Sequence, residues 1–265
     1  MSRYQFANTV PFFEQYSNRY ESLAKCIANE LTRLSHSTTA DRILDFGSGD
    51  GSLLRLTLRQ LRISPKARIV IIEPDQVLRL HAIRSLGTDG YEVTSLHNLE
   101  ESNTGMFSLI LASHVLYYIQ DPTLWIRRSL ETVVSGGLVT VVIRSPLCDT
   151  YSLRQIYRKY YNLKPRFEPE EALASFRAAG TRVSSCLAYA DLCAPMTEPI
   201  SFTPSHSTRV SANLGSFTRW MVGAGSNEDL PYDLQERILA FLESRCLDRA
   251  VRLRLVDFVI TGIAS

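Results

Sequence analysis

The stretch Arg42–Leu54, RILDFGSGDGSLL, limits what this chain can fold into more than any other segment. Ile43, Leu44 and Phe46 form a short apolar run that enters a turn holding Gly47, Gly49 and Gly51, and an apolar helical pattern follows. Asp45 precedes the first glycine by two residues, and Glu73 closes the next apolar run, Arg68–Glu73. Glycine has no Cβ, so a ligand can approach the backbone of such a turn closely. A carboxylate at the end of the neighbouring strand can accept from both hydroxyls of a ribose. Strand, turn, helix and the two acids together predict a nucleoside-bearing cofactor at the carboxyl edge of a parallel sheet.

The rest of the chain supplies that sheet. Apolar patterning predicts strands at 42–47, 68–73, 91–96, 107–113 and 138–144, with helices at about 51–62, 75–86 and 123–134. Gly136-Gly137 marks a sharp turn into the buried strand at Leu138, and Asp121-Pro122 starts the helix before it. Tyr20, Leu23, Ala24, Ile27, Leu31 and Leu34 recur at three and four, so a helix precedes the first strand. After Ser145 the pattern predicts helices at Tyr151–Tyr161 and Pro169–Ala179, a strand at Arg182–Tyr189, an amphipathic helix through Leu234–Leu242 and a last strand at Val251–Ile263. Alternating strands and helices read as an α/β, doubly wound parallel sheet.

At 265 residues the chain fits one large domain or a domain with a cap. A formal charge of +2 supplies no global field for nucleic acid or an anionic membrane. No apolar run approaches the roughly 20 residues of a membrane span. Met1–Val10 lacks the charged-then-apolar layout of a signal peptide. Five cysteines, Cys26, Cys148, Cys186, Cys193 and Cys246, are scattered, odd in number and without metal-ligand spacing; they read as reduced, mostly buried thiols of a cytoplasmic protein, and no metal is expected.

A dinucleotide fingerprint wants Gly-x-Gly-x-x-Gly, whereas these glycines alternate. The acid followed by Gly-x-Gly-x-Gly resembles the first motif of class I S-adenosylmethionine (SAM) methyltransferases. That resemblance implies a Rossmann-like, seven-stranded doubly wound sheet whose last two strands form an antiparallel hairpin. The layout is then an N-terminal helical cap at 1–40, a SAM-binding core at 41–191, an insertion at 192–250 and the last strand at 251–265; the insertion is far longer than most hairpin connections, so it reads as a substrate lid or wall, with a structural extension or dimer contact as the alternative. It further implies that Asp45, Gly47, Ser48 and Gly49 line the methionine half of the cofactor, that Glu73 with Pro74 holds the ribose, and that Asn98, Leu99 and Ser113 complete the cofactor site. Asn98 or Glu100 could accept from the adenine amino group, with a solvated polar loop as the alternative.

The block His114-Val115-Leu116-Tyr117-Tyr118-Ile119-Gln120-Asp121, the run Gln155–Tyr160 and the segment Ser95-Leu96-His97 resemble the histamine N-methyltransferase group. In that group a glutamine two residues before Leu-Tyr-Tyr touches the substrate, and His114 stands at that place. The group also uses an acid in the N-terminal helical region to hold an amine. The corresponding stretch Tyr16–Glu21 offers Arg19 instead, which suits a carboxylate. His114 also follows the fourth strand's carboxyl end, where such folds bind ligands, so Tyr16, Arg19, Tyr20, His114, Tyr117 and Tyr118 read as substrate contacts, with His114 and Tyr117 catalytic; a structural histidine and tyrosines that only pack the next helix are the alternatives. The Tyr151–Arg166 stretch mixes tyrosines with bases, but its apolar residues share one helical face, so it reads as a solvated helix.

The expected reaction is direct methyl transfer from SAM to nitrogen or oxygen of a small, carboxylate-bearing acceptor, with His114 assisting proton removal. Two other classes use the same cofactor. A tRNA or protein methyltransferase is disfavoured by the near-neutral charge and by the lack of an Asn/Asp-Pro-Pro-Tyr/Phe motif. A cyclase or regulatory SAM-binding module stays open, since fold and cofactor do not fix chemistry.

Overall fold

A computed structural model describes residues 15–34, 41–96, 107–164, 166–195, 218–219, 221–222 and 230–264. Among them the helices are α1 (Arg19–Leu34), α2 (Ser52–Leu61), α3 (Gln76–Gly87), α4 (Pro122–Thr132), α5 (Asp149–Tyr160), α6 (Pro169–Ala178) and α7 (Tyr232–Glu243). The strands are β1 (Arg42–Phe46), β2 (Arg68–Ile72), β3 (Glu92–Leu96), β4 (Phe107–Ser113), β5 (Val133–Arg144), β6 (Arg182–Pro195), β7 (Cys246–Leu247) and β8 (Ala250–Ile263). One sheet carries them in the order β3-β2-β1-β4-β5-β8-β6, with the short β7 paired to β8. Strands β1 to β5 are mutually parallel, and β8 runs antiparallel to β5. This is the doubly wound α/β sheet of the sequence reading, and its order reverses between β1 and β4, where such folds bind ligands at the strand carboxyl ends.

The chain divides into two compact units, each described by itself. The larger comprises Tyr20–Arg144, Arg166–Ala188 and Asp257–Ser265; the other comprises Met1–Arg19, Ser145–Pro165 and Tyr189–Val256. In the larger unit, strand alternation builds two apolar layers. Ile43, Ile69, Ile71, Leu109 and Leu111 face a layer with Leu23, Ile27 and Leu31 of α1, Leu54 and Leu58 of α2, and Leu86 of α3. Leu44, Val70, Ile72, Ile110 and Ala112 face the opposite layer with Trp125 and Ile126 of α4 and Phe176 of α6.

Helix starts follow capping chemistry. Asp75 accepts from the Val77 and Leu78 N–H groups at the start of α3, and Asp121 accepts from Leu124 N–H ahead of Pro122 in α4. Glu168 and Glu171 form a capping box at α6. Two boundaries differ from the sequence reading. The 123–134 helix ends at Thr132, and β5 begins at Val133 rather than Leu138. Val133 is β-branched and buried and pairs with Phe107; the register shift that follows absorbs Gly136-Gly137 inside the strand. Strand β6 continues past Tyr189 to Pro195 because its inward positions Ala190, Leu192 and Ala194 stay apolar and buried.

In the smaller unit Asp149, at the start of α5, accepts from Arg245 Nε (3.1 Å) and from the Arg254 N–H (2.7 Å). Tyr160 of α5 donates to Asp233 of α7 at 2.9 Å. Leu153 and Tyr157 are buried as the helical pattern requires, but so is Arg158, which the sequence reading had placed with the solvated charges. The cysteines need a correction too: Cys148 is buried and Cys26 and Cys186 are half-buried, whereas Cys193 and Cys246 are exposed. Cys193 falls on an outward position of the alternating β6, and Cys246 lies on the two-residue β7. No described helix is long and apolar enough to cross a membrane, and no described cluster of three or more His, Cys, Asp or Glu could hold a metal.

Candidate functional site

The turn after β1 is held from the neighbouring strand. Both the Gly47 and Ser48 N–H groups donate to the Ile72 carbonyl at the end of β2, at 2.7 and 3.3 Å. Gly47 has φ +73°, and a Cβ there would meet Val115 Cγ2 at 2.6 Å, so both backbone and space demand glycine. Gly49 has φ +57°, and a Cβ on it would meet no described residue within 4 Å. That glycine presents bare backbone to open space.

Beneath this backbone lies a group of acids. Glu73 accepts from the Gly49 N–H through Oε2 and from the Asp75 N–H through Oε1, both at 2.9 Å. Arg79 donates to the Glu73 carbonyl at 2.6 Å. Burial raises the Glu73 pKa, and its two backbone hydrogen bonds oppose that rise. Asp45 on β1 is only 4% exposed. Burial, then the charges of Glu73 and Asp50, push it up to about 8. Asp50 is engaged by Ser52, which donates through both N–H and Oγ. Ser48 Oγ is buried without a hydrogen-bond partner among the described residues.

These features fit SAM. A cation beside Asp45 would favour the ionised form of this carboxyl, which burial and the neighbouring acids disfavour. Ser48 Oγ has donor and acceptor capacity to spare, and each Glu73 oxygen can accept beyond the one N–H it already holds. The open face of Gly49 admits a ligand against the backbone. Asp45, Gly47, Ser48, Gly49, Glu73 and Pro74 are thus gathered at the carboxyl ends of β1 and β2, and Ser113 ends the adjacent β4. Asn98 and Leu99 lie outside the described residues.

His114 follows β4 in the left-handed region, φ +55°, and its N–H donates to the Val142 carbonyl of β5 at 3.0 Å. Its Nε2 lies 3.5 Å from Oδ1 of Asp257 on β8, and the two side chains are 19% and 3% exposed. The His114 and Tyr117 rings stack with centroids 6.2 Å apart. Tyr117 hydroxyl accepts from the Arg144 N–H at 2.6 Å, which ties the 3-10 turn Leu116–Tyr118 to the end of β5. Tyr118 is 58% exposed, with Arg166 over its ring at 5.5 Å. Tyr20, at the start of α1, is half-buried. Tyr16 and Arg19 belong to the smaller unit, where Tyr16 accepts from Gln15 and the buried Arg19 donates its N–H to Ser17 Oγ at 3.0 Å.

Asp257 is the residue that sequence reasoning missed. Its signal was present: one acid inside the apolar run Leu255–Ile260 of a strand expected to be buried. An acid in such a place needs a partner, and the register that sets Asp257 opposite Arg144 also brings it to His114.

Comparison with known proteins bears on the family and the fold. A family model described as a methyltransferase domain matches residues 17–182. A ubiquinone biosynthesis O-methyltransferase of Xanthomonas oryzae pv. oryzae is 29% identical over 147 residues, 52% of this chain and 61% of that protein. The chain therefore spans about three fifths of the length of that curated relative. Among solved structures, a candidate methyltransferase of Bacillus halodurans matches with a TM-score of 0.58 at 11% identity, covering 89% of this chain and 98% of that one. The YcgJ protein of Bacillus subtilis matches with a TM-score of 0.56 at 14% identity, covering 89% and 97%. Both share the fold.

Proposed function

The chain belongs to the methyltransferase-domain family, and from that premise we propose that it moves a methyl group from SAM to nitrogen or oxygen of a small-molecule acceptor. The observation that carries the reading is the bare Gly49 backbone, open to a ligand and backed by Glu73 and the buried Asp45. Oxygen is the favoured acceptor atom, because the curated relatives are named as O-methyltransferases of ubiquinone biosynthesis.

When bound, SAM supplies an electrophilic methyl group on a sulfonium that departs as a neutral thioether. The residues of this chain do the rest. Asp45 balances positive charge at the methionyl end, and Glu73 accepts from the ribose while it keeps the glycine turn in place. His114 takes the acceptor's proton. Asp257, 3.5 Å away, offsets the imidazolium charge that results. Tyr117, with its hydroxyl engaged by β5, holds the imidazole ring by stacking. The resemblance to the histamine N-methyltransferase group makes Tyr20 and Tyr118 of the larger unit candidate acceptor contacts.

The test is to incubate the chain with methyl-labelled SAM and cell extract divided into small-molecule, RNA and protein fractions. Label recovered in the small-molecule fraction, with matching S-adenosylhomocysteine, supports the reading. Label confined to RNA or protein overturns the small-acceptor assignment.

A further inference from the structure

Cys26 on α1 and Cys186 on β6 are 160 residues apart in sequence, yet their sulfurs lie 3.1 Å apart within the larger unit. Both side chains are half-buried, and both thiols are free. We propose that Cys26 and Cys186 form a dithiol modification site that reacts with small disulfides such as oxidised glutathione to close a bond between α1 and β6. The site is separate from the methyl-transfer reading and does not depend on it.

The hydrogen bond between the two thiols makes them unequal. Either thiol can donate in this contact; with Cys186 donating, the Cys26 pKa is lowered, against burial and the nearby charges of Glu30 and Asp257. The same hydrogen bond, with burial, pushes Cys186 upward. Cys26 is therefore the attacking sulfur, since the thiolate is the nucleophile. Its thiolate attacks one sulfur of oxidised glutathione, forms a mixed disulfide and releases one glutathione thiolate. Cys186 then loses its proton, attacks the Cys26 sulfur and releases the second glutathione. Two protein thiols are oxidised and one glutathione disulfide is reduced to two thiols, so electrons and atoms balance. The sequence alone concealed this pair because its spacing is neither that of a metal site nor of a local redox motif.

The remaining cysteines supply internal controls. Cys193 and Cys246 are exposed, so they report whether glutathione reaches a surface thiol of the chain. The experiment treats the full chain with oxidised glutathione, blocks residual thiols and maps peptides by mass spectrometry without reduction. The expected result is a peptide joining Cys26 to Cys186 with the loss of two hydrogens, reversed by dithiothreitol, while Cys193 and Cys246 carry glutathione. In Cys186→Ser the glutathione stays on Cys26; in Cys26→Ser no adduct or bridge forms at Cys186. An unmodified Cys26 in a chain whose Cys193 and Cys246 have reacted overturns the proposal. So does a stable glutathione adduct on Cys26 in the wild type.

Discussion

The Gly49 N–H donates to Glu73 Oε2 at 2.9 Å, so a carboxylate at the end of β2 holds the glycine turn that follows β1. The turn and the proposed ribose acceptor are therefore one device. Changing either partner alters both backbone shape and ligand chemistry, and the variants below are chosen to separate the two.

Gly47→Ala and Gly49→Ala are expected to fail in different ways. At Gly47 an added Cβ would lie 2.6 Å from Val115 Cγ2. Overpacking of that kind costs about 1–3 kcal/mol, and the left-handed backbone adds about 1 kcal/mol more. At Gly49 there is room for the methyl group, so only the backbone cost of about 1 kcal/mol applies. Thermal unfolding should show the larger loss of Tm for Gly47→Ala. Calorimetry should show that Gly49→Ala weakens SAM binding out of proportion to its small loss of Tm.

Asp45 links pH to stability and to cofactor binding. Its pKa rises from 3.8 to about 8 in the folded chain. A group raised on folding contributes stability below its unfolded pKa and loses it as pH climbs through the folded one. The cofactor-free chain should therefore lose Tm between about pH 5.5 and 7.5, and Asp45→Asn should lose less over the same window. Binding a cation favours the ionised carboxyl, so SAM affinity should rise across that window in the wild type and stay flat in Asp45→Asn. The two scans use the same buffers and check both signs.

His114 needs a substitution that tolerates its backbone. At φ +55° an alanine would add strain, whereas asparagine enters the left-handed region readily. His114→Asn is expected to lower kcat on the small-molecule substrate by about 10²- to 10⁴-fold, the range for a lost acid–base group. Its affinity for S-adenosylhomocysteine should stay within about twofold of wild type, well under 1 kcal/mol. Turnover equal to wild type removes His114 from the mechanism.

Much of the fold was legible because strand burial here follows hydrophobic pattern closely. Leu23, Ile27 and Leu31 mark the inner stripe of α1, and Ile69, Val70, Ile71 and Ile72 read as a strand covered on both sides. The acids and glycines of the turn were legible because their chemistry is local: each stands within a few residues of the strand end that presents it. What the sequence hid was non-local. His114 meets Asp257 only because β8 inserts beside β5 with Arg144 opposite Asp257. Cys26 meets Cys186 only through the placement of β6 against α1. The pattern at about 123–134 predicts a helix through Val133 and Val134; pairing of Val133 with Phe107 of β4 overrides it.

The most direct measurement is SAM affinity in wild type, Glu73→Gln and Glu73→Ala by calorimetry, with Tm recorded for each. Glu73→Gln keeps one acceptor oxygen but sets its NH2 against the other of the two backbone N–H donors, so a modest loss of Tm, smaller than that of Glu73→Ala, should accompany a SAM affinity weakened by about tenfold or more. Glu73→Ala removes both functions and should bind SAM more weakly still. Unchanged SAM affinity in both folded variants would contradict the placement of the cofactor on this turn.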